Sequence, residues 1–172
     1  MRFEYFQMID RIAALDTAER TVRSVCSVPT ESTIFEGHFP GYALMPGVLQ
    51  IECMAQTCGW LVIAATRFAA MPFLIAVKEA KFRSPVLPGE ELEFEGKIIH
   101  EGSGFTVGEA KGRRQGRMIC EAQITYRLLP IPNAQFRKAM LEWAERIDVP
   151  GRELFGEAAG ESSTESSKEP GT

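Results

Sequence analysis

The chain has 172 residues, 45% hydrophobic and 24% charged, which is the length of one domain with enough apolar material for a core. Its formal net charge of −4 is concentrated at the end: from Glu153 onward five acids face the single base Lys168, so residues 1–152 are neutral overall. Nothing here resembles the footprint of a nucleic-acid binder, which needs a strongly basic body or stripe. Four scattered cysteines without a CxxC pair read as reduced core residues rather than a disulfide framework.

The opening MRFEYFQMIDR carries early acids and lacks the apolar stretch of a signal peptide. With unpaired cysteines, this points to the cytoplasm. Residues 3–15 predict a helical turn running into a strand, and RTVRSVCSVP at 20–29 predicts a second strand. Glu36 to Gly47 reads as a loop, with Gly37, Pro40, Gly41, Pro46 and Gly47 as breakers. Pro46 suits the first turn of a long apolar helix ending near Arg67. That helix is long enough for a membrane span. Gln50, Glu52 and Gln56 lie inside it, however, and a carboxylate at that depth is costly. The expectation is a helix buried within protein, not membrane insertion.

Beyond the helix the period changes to that of strands: 73–83, 91–100, 104–113 and 117–129. Turn signals at Ser84-Pro85 to Pro88-Gly89, Gly102-Ser103-Gly104 and Gln115-Gly116 separate them, and short loops imply antiparallel neighbours. The predicted class is α+β, an antiparallel sheet wrapped around one long central helix. Residues 133–147 predict a further helix capped by Asn133, with Phe136, Met140, Trp143 and Ile147 as its apolar stripe. The bland reading of this stripe is docking on the body; the alternative is a partner surface. The Ser, Glu and Gly tail lacks the apolar surface needed to fold.

The strongest local signal is Gly37-His38-Phe39-Pro40-Gly41, then Met45-Pro46-Gly47-Val48, then Glu52 and Gln56. A second segment is Lys81-Phe82-Arg83-Ser84-Pro85-Val86-Leu87-Pro88-Gly89. Together these resemble the active-site segments of the β-hydroxyacyl–acyl carrier protein dehydratases of bacterial fatty-acid synthesis, the FabZ/FabA-like group. In these enzymes an HFPG motif and an MPGV turn precede a carboxylate with the spacing of His38 and Glu52. The resemblance covers roughly residues 5–129 and implies a hot-dog fold. It divides the chain into a dehydratase domain at 1–131, an appended helix at 132–150 and a disordered acidic tail at 151–172. Two departures bear on substrate choice: Ala43 stands where the family usually has proline, and Glu4 to Met8 replaces its N-terminal His-Arg-x-Pro-Phe stretch.

The chemistry is readable from the residues. Dehydrating a 3-hydroxyacyl thioester needs a base at C2, a donor on the thioester carbonyl and an acid at the C3 hydroxyl. Histidine titrates near working pH, so His38 suits the base. The free Gly47 N–H at the helix start suits the donor, and glycine lets a ligand approach the backbone. An apolar helix favours a neutral, protonated carboxyl, so Glu52 suits the acid. Gln56, one turn on, either orients Glu52 or satisfies buried backbone. Gly47, Val48, Phe39 and Gln56 form the expected substrate-binding set. His100 reads as a surface residue at a hairpin end, and no cofactor or metal set is expected.

The resemblance further implies acyl carrier protein as partner, a homodimer in which His38 of one subunit faces Glu52 of the other, and assembly up to a trimer of dimers. It also implies a cis His38–Phe39 peptide bond. The acidic carrier would dock on Lys78, Lys81, Arg83, Arg113, Arg114 and Arg117, or these are ordinary sheet-edge charges. The implied function is formation of trans-2-enoyl chains from (3R)-hydroxyacyl chains in fatty-acid or lipid A acyl-chain biosynthesis. The alternatives are a coenzyme A-linked hydratase or thioesterase, and an idle hot-dog subunit that only binds an acyl chain.

Overall fold

The computed structural model describes residues 1–151. Beyond Gly151, the expected disordered tail lies outside the described residues. Six antiparallel strands form one sheet in the order β1-β2-β4-β5-β6-β3. They are β1 (Arg11–Asp16), β2 (Thr21–Ser27), β3 (Ala70–Phe82), β4 (Glu91–Gly102), β5 (Phe105–Arg114) and β6 (Arg117–Pro130). Among the described residues a 3-10 turn (Phe3–Tyr5) and three α-helices accompany them: α1 (Thr33–Gly37), α2 (Gly47–Ala65) and α3 (Ala134–Arg146).

The sheet wraps around α2, which packs on β2 through β6. The helix is apolar enough to cross a membrane, but 72% of its most apolar window is buried inside the fold, so it is a core helix. The inward face of β5 is Thr106, Gly108, Ala110 and Gly112, all small and buried. This is what admits the helix. A Cβ on Gly96 would stand 2.7 Å from Cys58 Sγ of α2 and one on Gly108 3.1 Å from the same atom, while one on Gly112 would meet Cys120 Sγ of β6 at 2.5 Å. On neighbouring β4 the large side chains Leu92, Phe94 and Ile98 fill the space beside the glycines.

The two-residue hairpins at Ser103-Gly104 and Gln115-Gly116 have both residues at positive φ, the type I′ geometry that matches strand twist. Three boundaries differ from expectation. A one-turn helix, α1, occupies part of the presumed loop, capped by Ser32. The helix α2 stops at Ala65, because Arg67 and Phe68 turn left-handed (φ 51° and 57°) and bury the Phe68 ring. Strand β3 starts at Ala70 and includes Pro72, which an edge strand tolerates because proline leaves no ladder donor unmet there.

Candidate active site

His38 is the C-cap of α1, its N–H closing on the Ile34 carbonyl at 3.0 Å. In place of the expected cis bond, the His38–Phe39 peptide is trans, since no cis peptide occurs among the described residues. The chain reverses through Phe39 at φ 56°. A turn follows with Pro40 and Gly41 (φ 84°) at its centre, closed by the Tyr42 N–H on the Phe39 carbonyl at 2.8 Å. One left-handed residue costs roughly 1–2 kcal/mol, less than a cis non-proline bond, and achieves the reversal. The His38 imidazole lies edge-to-face against the Phe39 ring, centroids 4.4 Å apart, and has no hydrogen-bond partner among the described residues. It is half-buried, while Phe39 is exposed.

Glu52 projects from α2, half-buried, one turn after the exposed Val48 and one before Gln56, all on one helix face. The two roles left open for Gln56 are both filled. Its Nε2 donates to Glu52 Oε1 at 2.9 Å and to the Phe6 carbonyl at 2.6 Å, while its Oε1 accepts from the Met8 N–H at 3.2 Å. Gln56 therefore holds one carboxylate oxygen and ties it to the N-terminal segment. Among the described residues Glu52 Oε2 has no partner, so it is free to meet a ligand. The same N-terminal segment reaches α1, where Ser32 Oγ donates to the Glu4 carboxylate at 2.8 Å. Backbone and Ser32 hydrogen bonds hold Glu4 below the usual carboxylate range. The Glu4–Met8 stretch thus braces both α1 and α2.

The N–H groups of Gly47 and Val48 have no acceptor among the described residues, as the first turn of a helix requires. The two sequence motifs meet here. The Met45 N–H donates to the Val86 carbonyl at 2.8 Å, and a Cβ on Gly47 would stand 3.2 Å from the Phe82 ring. Glycine thus lets Phe82 lie over the helix start. Sequence reasoning kept Phe82 only as part of a motif, and the neighbouring aromatic in KFR was the available signal.

A cleft of about 210 Å³ opens at Glu52 and is lined by Ala55, Trp60, Leu74, Tyr126 and Trp143 among others. His38 does not line it, and no hydrogen bond or ion pair joins His38 to Glu52 within the chain. Tyr126 was missed by the sequence reading, although its place in the inward alternation of β6 signalled burial. Its hydroxyl donates to the Ala55 carbonyl at 2.7 Å. Burial pushes the phenol well up, so it stays neutral. The four cysteines are free and buried. Burial pushes the Cys58 thiol up to about 12 and the Cys120 thiol up to about 11, which leaves them chemically quiet.

The basic patch is mostly spoken for. Lys81 and Arg83 both pair with Glu121, Arg113 pairs with Glu95, and Arg114 grips Glu90 and the Pro85 carbonyl. Lys78 and Arg117 have no ion-pair partner among the described residues. His100 is exposed and stacks on Phe105 at 5.1 Å, away from the cleft. Among the described residues no group of three or more His, Cys, Asp or Glu could hold a metal ion.

Comparison with known proteins adds to this geometry. Residues 2–123 match the model of the FabA-like domain. The chain is 34% identical over 129 residues to the 3-hydroxyacyl-[acyl-carrier-protein] dehydratase FabZ of Dichelobacter nodosus, covering 69% of this chain and 84% of that one. It is also 34% identical to the FabZ of the same description from Symbiobacterium thermophilum, covering 72% and 87%. Among solved structures, a hypothetical thioesterase with coenzyme A from Streptococcus pneumoniae superposes with TM-score 0.55 at 15% identity, over 70% of this chain and 88% of that one. That likeness is one of fold.

Proposed function

The chain belongs to the FabA-like family, and from that membership we propose that it dehydrates 3-hydroxyacyl chains carried on acyl carrier protein to the trans-2-enoyl thioesters, for fatty-acid or lipid A acyl-chain biosynthesis. The observation that carries this reading is the cleft, which is largely apolar and has one acidic side chain, Glu52, with an unengaged oxygen at its edge. The relatives named as 3-hydroxyacyl-[acyl-carrier-protein] dehydratases at 34% identity support the same reading.

In the reaction, neutral His38 takes the C2 proton as the C2–C3 double bond forms. The C3–O bond breaks, and protonated Glu52 gives its proton to the departing hydroxyl, which leaves as water. The Gly47 N–H holds the thioester oxygen while negative charge gathers there, with the positive end of the α2 dipole behind it. Afterwards His38 is protonated and Glu52 ionised, and one proton returned between them through solvent resets the site. Val48, on the Glu52 face of α2, and the exposed Phe39 ring flank the entering chain.

The site is shared between two copies. His38 does not line the cleft at Glu52 within one chain, and β3 leaves its outer edge unpaired. Lys78, on that strand, and Arg117 remain for the acidic carrier, and the reduced, buried cysteines suit the cytoplasm.

The test is turnover of a 3-hydroxyacyl–acyl carrier protein, beside its coenzyme A analogue, with formation of the enoyl product measured. His38→Ala and Glu52→Gln are each expected to lower the rate by about 100-fold or more at unchanged melting temperature. A folded variant within about threefold of the parent would remove that residue from the mechanism.

A further inference from the structure

The helix α3 lies outside the matched family segment, which ends at residue 123. It has two apolar surfaces with different fates. Ala144 and Ile147, followed by Val149, are buried in the core and anchor it, helped by the Ile12 N–H on the Ile147 carbonyl at 2.7 Å. The Arg137 guanidinium adds a hydrogen bond to the Phe68 carbonyl at 2.6 Å. Phe136, Met140 and Trp143 remain only half-buried, because they face the cleft that begins at Glu52. A helix that served only to dock would bury that stripe against the body. Here Met140 and Trp143 pack only partly on the core, and the stripe lines one side of a cleft whose other walls come from α2 and β3.

The cleft follows α2 from Glu52 to Ile63, about 16 Å at 1.5 Å per residue. Gly59 on its floor leaves room, since a Cβ there would meet only Pro72, at 3.6 Å. Toward the far end Trp143 meets Trp60 edge-to-face, centroids 5.7 Å apart. We propose that α3 forms the outer wall of the acyl-chain site, and that Phe136, Met140 and Trp143 set the length of aliphatic chain the enzyme accepts. The occupant is the hydrocarbon tail of the substrate, because the cleft is apolar and continuous with the carboxylate that would meet the head. This rests on the dehydratase reading for the head group, while the chain-binding claim has its own readout.

The chain has two tryptophans, and both line this cleft. Intrinsic fluorescence therefore reports its occupancy directly. The probes are 3-hydroxyacyl pantetheine thioesters of increasing length, titrated for binding and assayed for turnover. Affinity is expected to rise with chain length and then break. Trp143→Ala, which leaves Trp60 as reporter, is expected to move the break to longer chains. Met140→Trp is expected to move it to shorter ones. The ratio of kcat/KM for long over short chains is expected to change in opposite directions in the two variants, by about tenfold each, the discrimination one or two methylenes command. Lys138→Ala, on the exposed face of α3, is the control with an unchanged profile.

Two results overturn the proposal. One is a chain series that leaves the fluorescence unmoved. The other is a uniform loss across all lengths in both cleft variants, which would make α3 a packing helix alone. Length-dependent binding without enoyl product leaves the proposal standing and rejects the dehydratase reading, so the two failures are distinguishable.

Discussion

Gln56 carries more of the site than its sequence position suggests. One amide side chain makes three hydrogen bonds, to Glu52, to the Phe6 carbonyl and from the Met8 N–H. Gln56→Met keeps the volume and removes all three. Part of the cost is structural, because the Phe6 and Met8 backbone groups lose their partner, at about 1–3 kcal/mol in thermal or urea unfolding. The other part is catalytic, because Glu52 loses the donor that fixes its plane. We expect kcat to fall by about tenfold or more and its pH profile to move, since misplacement of a catalytic group costs rate even when binding survives. A purely structural role would lower the melting temperature and leave the pH profile where it was. The sequence offered the one-turn spacing from Glu52 but not the third partner, because the fold of residues 2–8 onto α2 is a tertiary event. The His38–Phe39 bond was not legible either: the resemblance implied a cis bond, and the chain turns instead through a left-handed Phe39.

At the level of elements, α2 and the later strands were legible because their hydrophobic period is strong. The one-turn α1 was not, since five residues carry no period. The choice between a docking patch and ordinary sheet-edge charge was not legible for a related reason. Lys81 lies opposite Glu121 in the β3–β6 register, so the two neutralise each other, and a register cannot be read from one strand alone. The buried small residues of β5 are legible afterwards as the seat of α2. Gly112→Ala tests how tightly the inward face of the sheet itself is packed. The added Cβ would stand 2.5 Å from Cys120 Sγ and 2.7 Å from the Phe94 ring, both buried. Overpacking of this kind costs roughly 1–3 kcal/mol. The melting temperature is expected to drop by several degrees, at about 2–4 °C per kcal/mol for a chain of this size. Cys120→Ala in the same background is expected to restore part of the loss. A single variant as stable as the parent would show that the inward side chains of β4, β5 and β6 are not in tight contact there.

For the whole molecule, the outer edge of β3 is decisive. It ends the sheet, and Phe73 (55% exposed) and Ile75 (53% exposed) lie on it beside Leu74. A long apolar edge strand is an aggregation hazard unless another strand or chain covers it. A two-fold axis through β3 would cover it with the same edge of a second copy, as isologous dimers do. It would also bring a second chain to the cleft side, where Leu74 already lines the space in front of Glu52. His38 sits on a separate turn upstream of α2 and does not enter that cleft within its own chain. The expected consequence is complementation. Chains bearing His38→Ala are mixed with chains bearing Glu52→Gln, and subunit exchange is verified by native mass measurement. Each mixed dimer then has one site with its own His38 and the partner's Glu52 intact, so activity returns from two inactive parents. Ile75→Asp places a carboxylate on the edge and is expected to give monomers that lose activity even with both catalytic residues present. Verified exchange without recovered turnover would mean that each chain holds a complete site, and an active Ile75→Asp monomer would lead to the same conclusion by an independent route.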